Sequence, residues 1–140
     1  MKKLNFFISF ILIIFFSCDV EVKKNKSVKI VTSDRLKNYV DLFNKKDNEI
    51  YKQFIPNNEA FIFLIKNIPM IDLPDKEIEE TYYFRWWTFR KHIKDTDDGF
   101  VITEFLPDVN WSKKHNTINC PAAHHIYEGR WLKDPKCISE

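Results

Sequence analysis

Asp75-Lys76-Glu77-Ile78-Glu79-Glu80-Thr81-Tyr82-Tyr83-Phe84-Arg85-Trp86-Trp87-Thr88-Phe89-Arg90-Lys91-His92-Ile93-Lys94 is the stretch whose reading decides the fold class. Asp75 suits the N-cap of a helix. Glu77, Glu79 and Glu80 then crowd the end where a helix dipole is positive, and Arg90, Lys91 and Lys94 the end where it is negative. The charge order predicts a helix from Lys76 to about Lys94. At about 100° per residue, Ile78, Tyr82, Trp86, Phe89 and Ile93 fall on one face, the stripe expected of a helix lying on a core. Tyr83 and Trp87 point nearly the opposite way, among Glu80, Arg90, Lys91 and Lys94. One amphipathic face needs no aromatics there. Either a second layer of protein covers them, or they form an open platform whose flat faces stack on the C–H faces of sugar rings.

Two helices are predicted before this one. From Ser33, with Thr32 or Ser33 as N-cap, the residues Leu36, Tyr39, Val40, Phe43, Ile50 and Phe54 recur at helical spacing, which predicts a helix ending before Pro56. Asn57-Asn58 caps a shorter helix through Lys66, although its Ala-Phe-Ile-Phe-Leu-Ile run also suits a buried strand. Pro69 and Pro74 exclude regular helix between them. Beyond the third helix, Asp97-Asp98-Gly99 signals a turn and Phe100 to Phe105 a strand. Residues 106–121 read as a long loop, and Pro121-Ala122 opens a last helix to about Lys133. The fold class is therefore mainly α, with about four helices and one short β segment.

The amino terminus carries a different signal. Lys2 and Lys3 precede an uncharged apolar run, Leu4 to Phe16, and Ser17-Cys18 follows with a small residue before a cysteine. Basic end, short apolar core and small residue make a secretory signal. The run falls short of the roughly 20 residues a membrane-spanning helix needs. Phe15-Phe16-Ser17-Cys18 resembles a relaxed bacterial lipobox, which implies lipidation of Cys18 and an envelope protein anchored outside the cytoplasmic membrane. Residues 1–17 are then the signal peptide, 18–32 a tether and 33–140 the domain. Removing the signal takes two of the 22 basic residues and none of the 20 acidic ones, leaving charges balanced. That balance argues against nucleic acid, which selects a basic patch or stripe. Cys120 and Cys137 remain, as a disulfide or as two thiols.

Chemistry-bearing residues gather late in the chain. His124, Tyr127, Glu128 and Trp131 share a face of the last helix, with His125 and Leu132 on its flank. A His and a carboxylate four apart do not make a metal site, and Asp95-Thr96-Asp97-Asp98-Gly99 lacks the ligand spacing of a calcium loop. No metal or cofactor is expected: two glycines leave little material for a phosphate loop or dinucleotide fingerprint. Glycosidic hydrolysis takes two carboxyls about 5–5.5 Å or about 6.5–9.5 Å apart. Glu104 and Glu128 are the candidates within aromatic-rich segments, and spacing alone does not set them opposite each other.

Several segments together resemble one group of bacterial proteins. They are Asn67-Ile68-Pro69, Pro74-Asp75, Glu79-Glu80-Thr81-Tyr82-Tyr83-Phe84-Arg85-Trp86-Trp87, Thr103-Glu104-Phe105-Leu106-Pro107 and His124-His125-Ile126-Tyr127-Glu128-Gly129-Arg130-Trp131-Leu132. The group is the (α/α)6-barrel glycoside hydrolases of the mannosylglycerate-hydrolase-like kind, related to glycoside hydrolase family 63. The resemblance implies the start of an (α/α)6 toroid, carbohydrate as partner, and a sugar-binding rim supplied by Tyr83, Trp87, Glu104, Trp111, His124, Glu128, Arg130 and Trp131. It carries over no catalytic residue, because such barrels take their acid and base from loops further along. The expectation is an amino-terminal, inactive portion of a longer glycosidase. The competing expectation is a complete small lipoprotein that binds glycan or a protein through its aromatics.

Overall fold

The computed structural model describes residues 31–112, 114–134 and 136. The signal peptide, Cys18, most of the tether and Cys137 lie outside the described residues, and Cys120 is exposed. Four helices and one hairpin make up the rest: α1 (Ser33–Lys46), α2 (Asn57–Asn67), α3 (Lys76–His92), β1 (Ile93–Thr96), β2 (Gly99–Ile102), a 3-10 turn (Lys114–Asn116) and α4 (Asn119–Gly129). The chain is mainly helical, consistent with part of a helical toroid. Among the described residues no helix is long and apolar enough to cross a membrane.

α1, α2 and α3 pack on one another. Leu36, Val40 and Phe43 of α1, Ala60 and Leu64 of α2, and Tyr83, Trp86, Trp87 and Phe89 of α3 form their core, joined by Ile68, Ile93 and Leu132. At about 25 cal/mol per Å2 of apolar area, each large side chain in such a core stabilises by about 1.5–3 kcal/mol. The Asp75 carboxylate accepts from the Glu77 and Ile78 amides, the cap the sequence predicts. Thr32 occupies the N-cap of α1, but its side chain makes no capping hydrogen bond. The Ala-Phe-Ile-Phe-Leu-Ile run is helical, not a strand.

Several sequence boundaries need correction. α1 stops at Lys46 instead of running to Pro56, and Ile50 and Phe54 stand exposed. Polar anchors divert the chain there. The Asp47 carboxylate accepts from Lys91 Nζ at 2.8 Å and from Asn57 Nδ2 at 2.8 Å, and Glu49 Oε1 accepts from the Asn57 amide at 2.6 Å. α3 ends at His92, and the residues beyond it become β1, antiparallel to β2 with Ile93 opposite Ile102 and Thr96 opposite Gly99. Gly99 takes φ +97, a conformation glycine adopts without the strain a side chain adds. The strand predicted over Phe100 to Phe105 is thus shorter and starts one residue earlier. α4 begins at Asn119 and ends at Gly129, followed by a turn through Leu132.

The face expected of α3 is also corrected. Ile78, assigned to the core stripe, is 57 % exposed, whereas Tyr83 is fully buried and Trp87 is 4 % exposed. α1 is the second layer that covers them. Tyr39 stacks on Tyr83 at 5.3 Å, Phe43 lies 5.8 Å from Trp87, and Trp87 Nε1 donates to Asn44 Oδ1 at 2.8 Å. The polar residues beside them are buried because each has partners. Arg90 Nη1 donates to Gln53 Oε1 and to the Ile55 carbonyl, and its other arm meets Asn57. Burial brings the Arg90 pKa down to about 10. Glu79 accepts from the Leu73 amide at 2.6 Å, Lys76 Nζ at 3.1 Å and Tyr39 Oη at 3.3 Å, with Arg35 beside it.

Candidate functional site

The carboxy-terminal half of α3 presents Arg85 and His92 toward the segments that follow the hairpin. Thr103 fixes the first of these segments. It is fully buried, its amide donates to the His92 carbonyl at 2.8 Å, and its hydroxyl donates to the Phe105 carbonyl. Glu104 comes next, and its amide donates to the Asn116 carbonyl at 3.1 Å. Asn116 organises the whole loop. Its Nδ2 donates to the Phe105 and Pro107 carbonyls, and its Oδ1 accepts from the Val109 amide and the Ser112 hydroxyl. It holds φ +61, a left-handed conformation that asparagine tolerates better than most residues.

With the loop set, Glu104 meets α4. His125 Nε2 and Glu104 Oε2 are 2.8 Å apart, and Arg85 Nη2 donates to Glu128 Oε2. Arg85, Phe89, His92, Ile102, Glu104 and His125 line a cavity of about 130 Å3. His92 Nδ1 sits 2.8 Å from the Thr103 carbonyl, an acceptor, so Nδ1 carries the proton. Burial is the largest cause holding the His92 pKa below its ordinary value, and Arg85 and His125 add to it against the pull of the Thr103 carbonyl and Glu104. The imidazole is therefore neutral, with its second nitrogen an acceptor. His125 Nδ1 is buried and lacks a partner among the described residues. Glu104 thus lines the cavity with Arg85, His92 and His125, and Glu128 of α4 holds the Arg85 guanidinium. Carboxylates that accept and a guanidinium that donates suit the hydroxyls of a polyol. Among the described residues no three His, Cys, Asp or Glu side chains converge on a cation position.

The aromatic residues divide into two groups. Tyr83 and Trp87 are the correction: their rings are packed against α1, so they offer no open platform. Phe84, which sequence reasoning did not single out, is the aromatic that α3 leaves in the open, beside a groove of about 620 Å3 between α1 and α3. Trp111 and Trp131 are 64 % and 60 % exposed, as Tyr127 is at 63 %. Trp111 stands edge-on to Phe105 at 4.7 Å, and Arg130 lies over the rings of Tyr127 and Trp131. His124 is exposed on α4. The structure pairs Glu104 with His125 and Glu128 with Arg85, and places Tyr127 of α4 beside Arg130 and Trp131 of the turn that follows it. Arg85, His92, His125 and Asn116 were missed as partners of that cluster. Their pairing spans loops, and no local spacing encodes it.

The chain resembles one solved structure described as a sialidase. The match has 44% sequence identity and a TM-score of 0.73 over 76% of this chain. It covers 10% of that protein, so the chain spans about a tenth of its length. No family model matches the chain, and no curated protein matches it.

Proposed function

We propose that this chain is a lipid-anchored, extracytoplasmic carbohydrate-processing protein equivalent to one segment of an (α/α)6-type glycoside hydrolase of the group related to family 63. Its role is to hold sugar. Glu104 and Glu128 supply acceptors, Trp111 and Trp131 supply flat faces, and His124 and Arg130 supply polar contacts at the rim. The likeness to a sialidase segment at 44% identity carries the carbohydrate-processing part of the reading. The polar cluster around Arg85 supports it, because it combines acceptors and a donor beside a cavity. The Lys2-to-Cys18 pattern supports the anchor and the envelope location.

The test is a glycan array probed with the full chain after expression in a bacterial host, with membrane fractions compared for the natural chain and Cys18→Ser. The expected outcome is saccharide binding without reducing-sugar release, and loss of membrane retention in the variant. Turnover of a glycoside by the purified chain would overturn the non-catalytic part. Binding to a protein partner with no saccharide signal would favour the small-lipoprotein reading instead.

A further inference from the structure

The turn that follows α4 holds an arginine in an uncommon way. Arg130 and Trp131 are fixed by backbone bonds that continue the helix: the Arg130 amide donates to the Ile126 carbonyl at 3.1 Å and the Trp131 amide to the Glu128 carbonyl at 3.2 Å. Leu132, buried behind them, and the Lys133 amide, which donates to the Asn67 carbonyl at 2.8 Å, tie the turn to the end of α2. The Arg130 guanidinium carbon lies 5.1 Å from the Tyr127 ring centroid and 5.3 Å from that of Trp131. Both rings and the arginine are exposed.

The local charges are uneven. Arg130 has no carboxylate partner among the described residues, whereas the nearest acid in sequence, Glu128, is taken by Arg85. Asp134, the next, accepts from the Lys136 amide. A guanidinium flanked by aromatic rings is already ordered, so it loses little freedom when it bonds an oxyanion in its forked geometry.

We infer that the Tyr127–Arg130–Trp131 patch binds an anionic saccharide, with the sugar's carboxylate or sulfate on Arg130 and a ring face on Trp131. The inference rests on the carbohydrate reading above and adds the charge of the ligand. It is tested on the full chain by titration calorimetry with two matched pairs, galactobiose against digalacturonate and lactose against lactose 3′-sulfate. In each pair the charged member is expected to bind about tenfold tighter or more. The two pairs separate carboxylate from sulfate as the source. Arg130→Gln, an exposed substitution checked by circular dichroism for an unchanged fold, is expected to weaken the charged sugars about tenfold more than the neutral ones, so that the ratio within each pair collapses, and Arg130→Lys to restore part of it. Equal binding within both pairs overturns the inference and leaves the carbohydrate reading intact. So does a preference that survives Arg130→Gln. Absence of binding to all four sugars overturns the inference, and a glycan array without a positive saccharide overturns the carbohydrate reading with it.

Discussion

Glu79→Gln removes one negative charge from a fully buried position and keeps the shape of the side chain. Burial alone raises a carboxyl pKa, but here the Leu73 amide, Lys76 and Arg35 outweigh it and hold Glu79 below the usual carboxylate range. Breaking a buried ion pair costs about 3–5 kcal/mol when the stranded partner stays buried. Arg35 and Lys76 are 31 % and 53 % exposed and both also reach Asp72, so they return to water and the cost falls toward about 2 kcal/mol. In a domain of this size that lowers the melting temperature by about 8–16 °C. A lowered folded pKa means that the stabilisation is complete above the unfolded value near 4.5 and disappears as pH falls through the folded value. Thermal melts of both proteins by circular dichroism, from neutral pH into acid, read both effects. The gap between the curves is expected to close on acidification. A gap of under about 2 °C at neutral pH, or one that stays constant into acid, would falsify the account of Glu79.

Trp87→Ala is expected to cost about 3–5 kcal/mol in urea unfolding, because it empties the α1–α3 interface and strands Asn44. Trp131→Ala, at an exposed site, is expected to change stability by no more than about 0.5 kcal/mol; equal losses would return Trp87 to the surface. His92 is expected to titrate below 6.5 in a proton NMR pH series, since burial disfavours its charge. Its contribution to stability is full above about 6.5 and is lost as pH falls below that value. A midpoint at or above 6.5 refutes the buried, neutral imidazole.

Local signals located most elements. Asp75 caps α3 and Asp97-Asp98-Gly99 turns the hairpin, each through chemistry that acts within a few residues, whereas the cap expected of Asn57-Asn58 is not made: Pro56 stands at the N-cap without a side-chain bond and the Asn57 side chain reaches Asp47 and Arg90 instead. What local signals could not show was the second buried face of α3. Periodicity assumes that charge marks the solvent side, and Glu79, Arg90 and Lys91 break that assumption because partners 37 to 44 positions away compensate them. The same holds at the site. Glu104 and Glu128 stood out by their aromatic surroundings, but their pairing with His125 and Arg85 depends on contacts 21 and 43 residues apart. The run to Phe54 misled for a related reason: Ile50 and Phe54 kept helical spacing after polar anchors at Asp47 and Glu49 had already turned the chain.

α4 is attached differently from the other helices. Gly129 is its one buried residue, and its grip on the rest consists of the His125–Glu104 and Arg85–Glu128 pairs, the buried Leu132 behind it and the backbone bond at Lys133. The three preceding helices are neighbours in sequence and share one apolar core, so they close over short loops and form early. α4 docks last and opens first, through sub-global openings that leave the α1–α3 core closed. Its amides therefore exchange with deuterium ahead of those of α3, and faster still at high salt, where the Arg85–Glu128 ion pair is screened. Among the described helices α4 is thus the one whose opening leaves the rest of the fold intact.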